Sequence, residues 1–467
     1  PFRTMVTPPV FTDQHMERLR AFHASGATRP ATFRRKALQA LDRSLRAEEN
    51  ALLAAMHADM GKPVFEAYMS DVGLVYKELN HALEHLDAWM RPTAVPTPTA
   101  LQPASSKVHK EPLGVVLIIA PWNYPALLLL SPLIGAIAAG NCAVVKPSNE
   151  APRTAAVLER IVRDAFAEEH VTLVQGPGRS IGPALIERHR FDHIFFTGSA
   201  AVGAQVMAMA ARHLTPVTLE LGGKSPAIVD RRVDLRVAAG RVAWSKFFNA
   251  GQTCIATDHA FVHADVLEPF LQELQRSVQR FYGSDPRQSP HFARLVNTRR
   301  FNTVKGYLGE GRIHIGGEHD AGERYVAPTV MTEIPPDAAL MREEIFGPIL
   351  PVIPWREREE VLAYVRRNPQ PLAAYIHSKD RSAQQWFTER IPFGGGCINH
   401  AMLQFGNPAL PFGGVGTSGM GRYHGRHTFD LFSHHKGVVK APTWIEHGLQ
   451  LPPYTPLKER LLRWLLH

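Results

Sequence analysis

The stretch Leu113-Gly114-Val115-Val116-Leu117-Ile118-Ile119, the turn Pro121-Trp122-Asn123-Tyr124-Pro125 and the apolar run to Ala139 decide the fold. An unbroken run of aliphatic and β-branched residues marks a strand covered on both faces. The turn, an apolar helix over 126–139 and a second strand over 141–146 then complete a strand–helix–strand unit. The alternation continues outward. A helix is expected over 154–168, a strand over 171–175, a short helix over 181–189, a strand over 191–196 and a helix over 200–213. This pattern predicts an α/β protein with a parallel, helix-covered sheet. Upstream, 31–60 and 72–86 carry apolar residues at helical spacing, with Gly61 and Pro63 ending the first helix. Arg91 to Pro103, with Pro92, Pro96, Pro98 and Pro103, reads as an extended connector or arm.

At 467 residues the chain has room for roughly two to three domains. A hydrophobic share of 45% with 20% charged residues excludes a disordered chain. Three widely spaced cysteines cannot form a disulfide framework, which points to a reducing compartment. Pro1 to Thr12 lacks the basic-then-apolar pattern of a secretory signal, so the expected location is cytoplasmic. The longest apolar stretch, broken by Ser131, Pro132 and Gly135, is too short to cross a bilayer, so no transmembrane anchor is expected. The net charge of +9 is spread along the chain without a dense basic block, which argues against nucleic acid and suits an anionic cofactor.

Against this frame, a few residues carry chemistry. Phe247-Phe248-Asn249-Ala250-Gly251-Gln252-Thr253-Cys254-Ile255-Ala256-Thr257 places one cysteine in an uncrowded turn after a helix over 235–248. Such a thiol is either a nucleophile or a small buried side chain. Thr218-Leu219-Glu220-Leu221-Gly222-Gly223-Lys224 sets Glu220 in an apolar strand, as a buried salt-bridge partner or as a base of raised pKa. Gly198-Ser199-Ala200-Ala201-Val202-Gly203 falls between strand and helix, where backbone amides can meet a phosphate. It lacks the third glycine of the dinucleotide fingerprint, and no lysine follows as in a P-loop. His81-Ala82-Leu83-Glu84-His85 has the spacing of a zinc helix, but no third ligand motif follows and no metal site is expected. The loop from Pro411 to Gly421 implies close backbone packing or a site lining. Cys142 and Cys397 read as structural.

Together the stretches Pro121-Trp122-Asn123-Tyr124-Pro125, Lys146-Pro147-Ser148, Phe196-Thr197-Gly198-Ser199, Leu219-Glu220-Leu221-Gly222-Gly223-Lys224, Gly251-Gln252-Thr253-Cys254 and Glu344-Ile345-Phe346-Gly347-Pro348 resemble the aldehyde dehydrogenase superfamily, in the family's order. The likeness runs from about residue 31 to 456. The late Tyr423-His424-Gly425 and Phe432-Ser433-His434 look most like its class 3 branch of fatty, aromatic and coniferyl-type enzymes. The resemblance implies NAD(P)-dependent oxidation of an aldehyde to the acid. Cys254 would attack the carbonyl carbon, the Asn123 amide and the Cys254 N–H would hold the oxyanion, and Glu220 would activate water against the thioester. NAD or NADP would lie along Gly198, Ser199, Val202 and Gly203. Lys146, Ser148 and Asn149 would stand at the adenosine ribose, Glu344 at the nicotinamide ribose, and Phe346 and Trp122 near the ring. The family commonly has a carboxylate where Asn149 stands. Its loss implies that NADP is tolerated.

The implied architecture has a Rossmann-like parallel-sheet cofactor domain (1–90 and 112–217), a second α/β catalytic domain (218–400) and a small β oligomerisation element (91–111 and 422–467). A homodimer is expected, with the amphipathic segment over 457–466 packing on the partner rather than on a membrane. Phe247, Phe248, His400, Met402, Leu403 and Phe405 are candidates for an apolar tunnel, and the substrate class expected is an aromatic, cinnamyl-type or medium- to long-chain aliphatic aldehyde. The competing readings are a catalytically idle protein on the same fold and a cysteine esterase that needs no nicotinamide.

Overall fold

The computed structural model describes residues 11–368, 370–446 and 448–466. The reading of the N-terminal stretch therefore lies, for residues 1–10, outside the described residues. The helices Ala31–Met60 and Gly73–Met90 form at the expected positions, and Gly61 ends the first in the left-handed region at φ 61°. The helix Leu127–Ala139 is buried along its whole length, which explains why it is apolar all round.

Two large sheets organise the chain. The first has six strands in the order Gly419–Met420, Val217–Glu220, His193–Thr197, Val115–Ile119, Cys142–Lys146, Val171–Leu173. All its pairings are parallel except the short antiparallel edge at Gly419–Met420. The chain winds one way from Val115–Ile119 through Cys142–Lys146 and the other way through His193–Thr197. The strand order therefore reverses beside Val115–Ile119, and ligands of open α/β sheets bind outside the carboxyl ends at such a point. The second sheet has seven strands in the order Arg312–Ile315, Thr329–Thr332, Ile349–Trp355, His259–His263, Pro226–Val229, Ala373–His377, Gly395–Ile398. One contiguous core joins the sheets and the long helices, from Leu38 and Leu79 through Leu129 and Val145 to Val262 and Leu350.

The connector expected over 91–103 is partly sheet. Thr93–Val95 pairs antiparallel with Ser105–Pro112, which pairs along its length with Ser433–Lys440. The resemblance implied a small β element over these two segments, but hydrophobic periodicity located neither of the longer strands. Lys107, His109, Lys110, His434, His435 and Lys436 interrupt the apolar alternation that reveals a strand, because this three-stranded sheet is exposed over much of its surface. The C-terminal helix Pro456–Leu466 forms, with Leu457 and Trp464 exposed.

Candidate active site

The carboxyl edge of the first sheet meets the amino edge of the second. Trp122 and Asn123 follow Val115–Ile119, Lys146 ends Cys142–Lys146, Gly198 and Ser199 follow His193–Thr197, and Glu220 ends Val217–Glu220. Cys254 and Glu344 precede His259–His263 and Ile349–Trp355, which are neighbours in the second sheet. The edges are bonded across the seam: Asn123 Nδ2 donates to the Gln252 carbonyl at 3.1 Å.

The Cys254 turn is strained and well held. Asn249 and Ala250 stand in the left-handed region at φ 52° and 51°, a conformation that costs a non-glycine residue roughly 1–3 kcal/mol unless its surroundings impose it. The surroundings here are polar and buried. Asn249 donates its N–H to the Glu66 carboxylate and its side-chain amide to the carbonyls of Asn123 and Gln252, each at 3.1 Å. Gln252 bonds to Asn249 and Arg294 carbonyls and accepts from Val296 N. Lys62, fully buried, donates to the Asn123 carbonyl at 3.3 Å, lies 4.0 Å from the centre of the Tyr124 ring and pairs with Asp71 at 3.8 Å. Tyr124 in turn bonds Thr253 Oγ1 at 2.5 Å. Gly251, at φ 75°, fits only without a side chain, since a Cβ would stand 2.2 Å from the Gly347 carbonyl. That contact locks the cysteine turn to the Glu344–Phe346 loop.

Glu220 is 2% exposed, and neither carboxylate oxygen has a hydrogen-bond partner among the described residues. Burial alone drives its pKa well above the ordinary carboxylate value. Glu344 is pushed up to about 8 by burial and by Asp258, opposed by the Gly223 N–H and by Arg300. Its carboxylate lies so close to Gly222 that a Cβ there would sit 2.0 Å from Oε2. The segment carrying Glu344 is pinned by Lys224, whose ammonium reaches Asp258 at 2.5 Å and the Leu340 and Glu343 carbonyls at 3.0 and 2.8 Å. Cys254 feels burial first and then both glutamates, and its thiol is pushed up to about 12; its own N–H and that of Ile255 pull the other way. The resting thiol is therefore protonated, and attack needs its proton removed as the carbonyl arrives.

Lys146, 2% exposed, has among the described residues only the adjacent Pro147 carbonyl at 3.3 Å and no carboxylate partner, and burial lowers it to about 8. Ser148 Oγ accepts from Glu150 N at 3.2 Å. Exposed Asn149 accepts from Gly178 N at 3.1 Å. Glu150 does not replace the missing carboxylate, because its side chain turns away to accept from Asn297 at 2.7 Å. Ser199 caps the helix Ala200–Ala211 by accepting from Val202 N, and Gly203 packs on Leu221. Trp122 and Phe346, both half-buried, meet edge to face with ring centroids 5.6 Å apart. An under-paired buried ammonium, an open capped helix start and two half-exposed rings along one seam fit an anionic dinucleotide.

On the other side of Cys254 lies a cavity of about 660 Å³. Its lining includes Phe248, His400, Met402, Leu403 and Phe405, with Tyr124 and Leu127 at its inner end. Phe247, expected in the tunnel, is instead buried in the core, because it is the last residue of the helix Leu235–Phe247 and its side chain faces inward. His81 and His85 pack against each other, His85 stacks on Trp89 and His81 meets it edge-on, and among the described residues no three potential metal ligands converge. The glycine-rich loop packs its backbone on the Glu220 strand, with Ser418 O accepting from Leu221 N at 3.1 Å. Sequence reasoning gave no role to Lys62, Glu66, Asp71, Gln252 and Asp258. Gln252 lies inside the cysteine motif but reads only as part of it, and the other four reach the site from distant segments with no local pattern that marks them.

A thiol, a buried carboxylate and groups that fit an anionic dinucleotide meet on this one seam, an arrangement suited to a nicotinamide-dependent oxidoreductase. The aldehyde dehydrogenase family matches residues 13–438, and the chain belongs to that family. Human aldehyde dehydrogenase family 3 member B1 is 44% identical over 450 residues, covering 96% of each chain. The 4,4'-diaponeurosporen-aldehyde dehydrogenase of Staphylococcus aureus is 42% identical over 437 residues, covering 93% of this chain and 95% of that one. Among solved structures, the substrate-bound state of Staphylococcus aureus AldH superposes with a TM-score of 0.95 at 40% identity, covering 98% of this chain and 100% of that one. An indole-3-acetaldehyde dehydrogenase complexed with NAD+ superposes with a TM-score of 0.83 at 29% identity, covering 92% and 88%. The protein is thus a class 3-like enzyme that oxidises aldehydes to carboxylic acids with NAD or NADP. No helix among the described residues is long and apolar enough to cross a membrane.

Proposed function

We propose that Cys254 is the nucleophile of this oxidation. The aldehyde enters the cavity, its carbonyl carbon meets the thiol, and its oxygen takes a hydrogen bond from the Cys254 N–H and from the Asn123 amide. One Asn123 N–H is spent on Gln252, which fixes the amide plane and leaves the second for the oxygen. The nicotinamide dinucleotide, when bound, supplies the hydride acceptor. Lys146, Ser148 and Asn149 would hold its adenosine ribose, Gly198, Ser199, Val202 and Gly203 its pyrophosphate, and Glu344, Trp122 and Phe346 its nicotinamide end. Cys254 then carries the acyl group as a thioester, and Glu220 takes a proton from the water that cleaves it.

The strongest support is the convergence on one seam of a thiol that lines a largely apolar cavity and a buried carboxylate without a hydrogen-bond partner among the described residues. The same placement supports the assignment of 1–90 and 112–217 to cofactor binding and of 218–400 to catalysis. The cavity lining favours aromatic, cinnamyl-type or longer alkyl aldehydes. Cys254→Ser should lower turnover by at least about a thousandfold while dinucleotide affinity is kept. Parental turnover by that variant, read from reduced-nicotinamide absorbance, would reject the assignment.

The reading extends to a homodimer through the three-stranded sheet. Ser433–Lys440 is its edge strand, with Val438 and Val439 exposed, and an open edge of this length invites pairing. A monomer in sedimentation equilibrium would overturn this. The free cysteines Cys142, Cys254 and Cys397 agree with a reducing cytoplasm, which cell fractionation tests.

A further inference from the structure

The cavity that ends at Cys254 is apolar inside and cationic at its far end. One face of the helix Leu235–Phe247 runs along it, presenting Arg236, Val237, Gly240, Arg241 and Trp244 at helical spacing. Trp244 stacks toward Phe248, 5.5 Å between ring centroids, at the cysteine end. Arg236 is eight positions earlier, about 12 Å along the axis at 1.5 Å per residue. Arg280, from the neighbouring helix Leu267–Tyr282, lies over Gly240, where a Cβ would stand 3.2 Å from its Nη2. Three guanidinium groups thus gather around the first turns of one helix, at the cavity's outer end.

Among the described residues no acidic side chain lines the cavity and none of the three arginines has a carboxylate partner: Arg241 bonds a carbonyl and Arg280 lies over the Phe281 ring, while Asp380 and Glu273 are taken by Arg232 and Arg276. The carboxylate nearest in sequence, Asp234, is occupied as the helix cap, accepting from Val237 N at 3.1 Å. Arg241 donates to the Asn399 carbonyl, which fixes its position and leaves its charge uncompensated. Arginines elsewhere on this surface are commonly tied to Asp or Glu, as Arg188 is to Asp13 and Arg160 to Glu48. Unpaired guanidinium forks are the groups that bind carboxylates in two-point fashion.

We propose that this cluster recognises an anion, and that preferred substrates are ω-oxo-carboxylates: aldehydes whose apolar body ends, remote from the carbonyl, in a carboxylate. The aldehyde lies at Cys254, the chain fills the apolar barrel, and the carboxylate meets Arg236 and Arg280 at the rim. The oxidation is unchanged, and its product is a dicarboxylate. This rests on the reading of the cavity as the aldehyde site.

The test compares kcat/KM for 12-oxododecanoate, its methyl ester and dodecanal at low ionic strength, in the parent and in an Arg236→Gln, Arg280→Gln double variant. Both residues are exposed, so the fold is kept, and melting temperature checks this. The parent should favour the free carboxylate over the ester by roughly tenfold, mostly through KM. The preference should shrink with added salt. The double variant should bring the ratio to about one, by lowering kcat/KM for the free carboxylate far more than for the ester or dodecanal. A parental ratio of one or below, or a preference that survives the double substitution, overturns the proposal. Failure to oxidise all three compounds would overturn the apolar-aldehyde reading of the cavity and the proposal with it. Normal oxidation of dodecanal and the ester without a carboxylate preference would remove the anion site alone.

Discussion

Glu220 keeps a carboxyl group in a place where both oxygens are buried and neither bonds to another group among the described residues. Such a group is neutral at rest, and its value to catalysis lies in how readily a water beside it can give it a proton once it has ionised. The isosteric Glu220→Gln change should therefore leave attack and oxidation fast and stall hydrolysis. We expect a burst of reduced cofactor followed by a steady rate at least about a hundredfold lower, with acylated Cys254 visible by mass spectrometry. Glu344→Gln should give no such acyl accumulation. Because the folded pKa is raised, the base is available only above it, so kcat should climb with pH at values where an ordinary carboxylate has long since ionised. At the other end of the cofactor, Asn149 offers an amide where a carboxylate would repel a 2′-phosphate, and Glu150 is held away by Asn297. Asn149→Glu should lower kcat/KM for NADP relative to NAD by about tenfold or more. A parental preference for NAD above about a hundredfold, or ~2.7 kcal/mol, would contradict the assigned role of Asn149.

The turn Phe248–Gly251 is a short element whose shape comes from elsewhere in the chain. Glu66, 183 positions away, accepts the Asn249 N–H, and Lys62 holds the Asn123 carbonyl from below. Glu66→Ala leaves a buried N–H unsatisfied at a strained residue, at a cost of about 1–3 kcal/mol. The loosened turn should lower kcat by roughly tenfold with little change in aldehyde KM, whereas Glu66→Gln, which keeps an acceptor oxygen, should restore most of it. Equal losses in the two variants would show that charge rather than the hydrogen bond holds the turn. The strands of the first sheet and the residues at their carboxyl ends were legible in the sequence, because Val115–Ile119 and Cys142–Lys146 are buried on both faces and read as continuous apolar runs. The buried ions beneath the turn were not. Lys62, Glu66 and Asp71 follow a helix stop, where charge ordinarily means exposure, and their burial arises only when the helices close over the cysteine loop. Ser433–Lys440 was illegible for the opposite reason: it is a strand without a buried face.

Across the whole molecule, two sets of buried groups set the response of stability to acid in opposite directions. Burial raises Glu66 and Glu78 to about 7, Asp71 to about 6 and Glu344 to about 8, and it raises Glu220 well above the ordinary carboxylate value. Each keeps its proton in the folded state after the unfolded chain has lost it, so each contributes stability that is complete below about pH 4 and is lost as pH rises through the folded value. Burial also lowers His170, His193 and His259 to about 4, and His377 and His424 to about 3. These are neutral when folded while the unfolded chain is charged, so their contribution is complete above about pH 6.5 and is lost as pH falls. Between about pH 4.5 and 6.5 the two sets run in opposition, and the unfolding free energy should be nearly flat. Below about 4.5 the carboxylates are protonated in both states and offer no counterweight. The histidines then act alone, joined by surface carboxylates that ion pairs hold low, such as Asp13 with Arg188 and Glu48 with Arg160. Stability should therefore drop steeply between pH 4.5 and 3. Urea midpoints measured across this range at constant ionic strength check the prediction, and a steady slope through pH 4.5–6.5 would contradict the balance. His377→Asn keeps a polar group of similar size that cannot take a proton, and it should flatten the acid limb by about one proton's worth of slope.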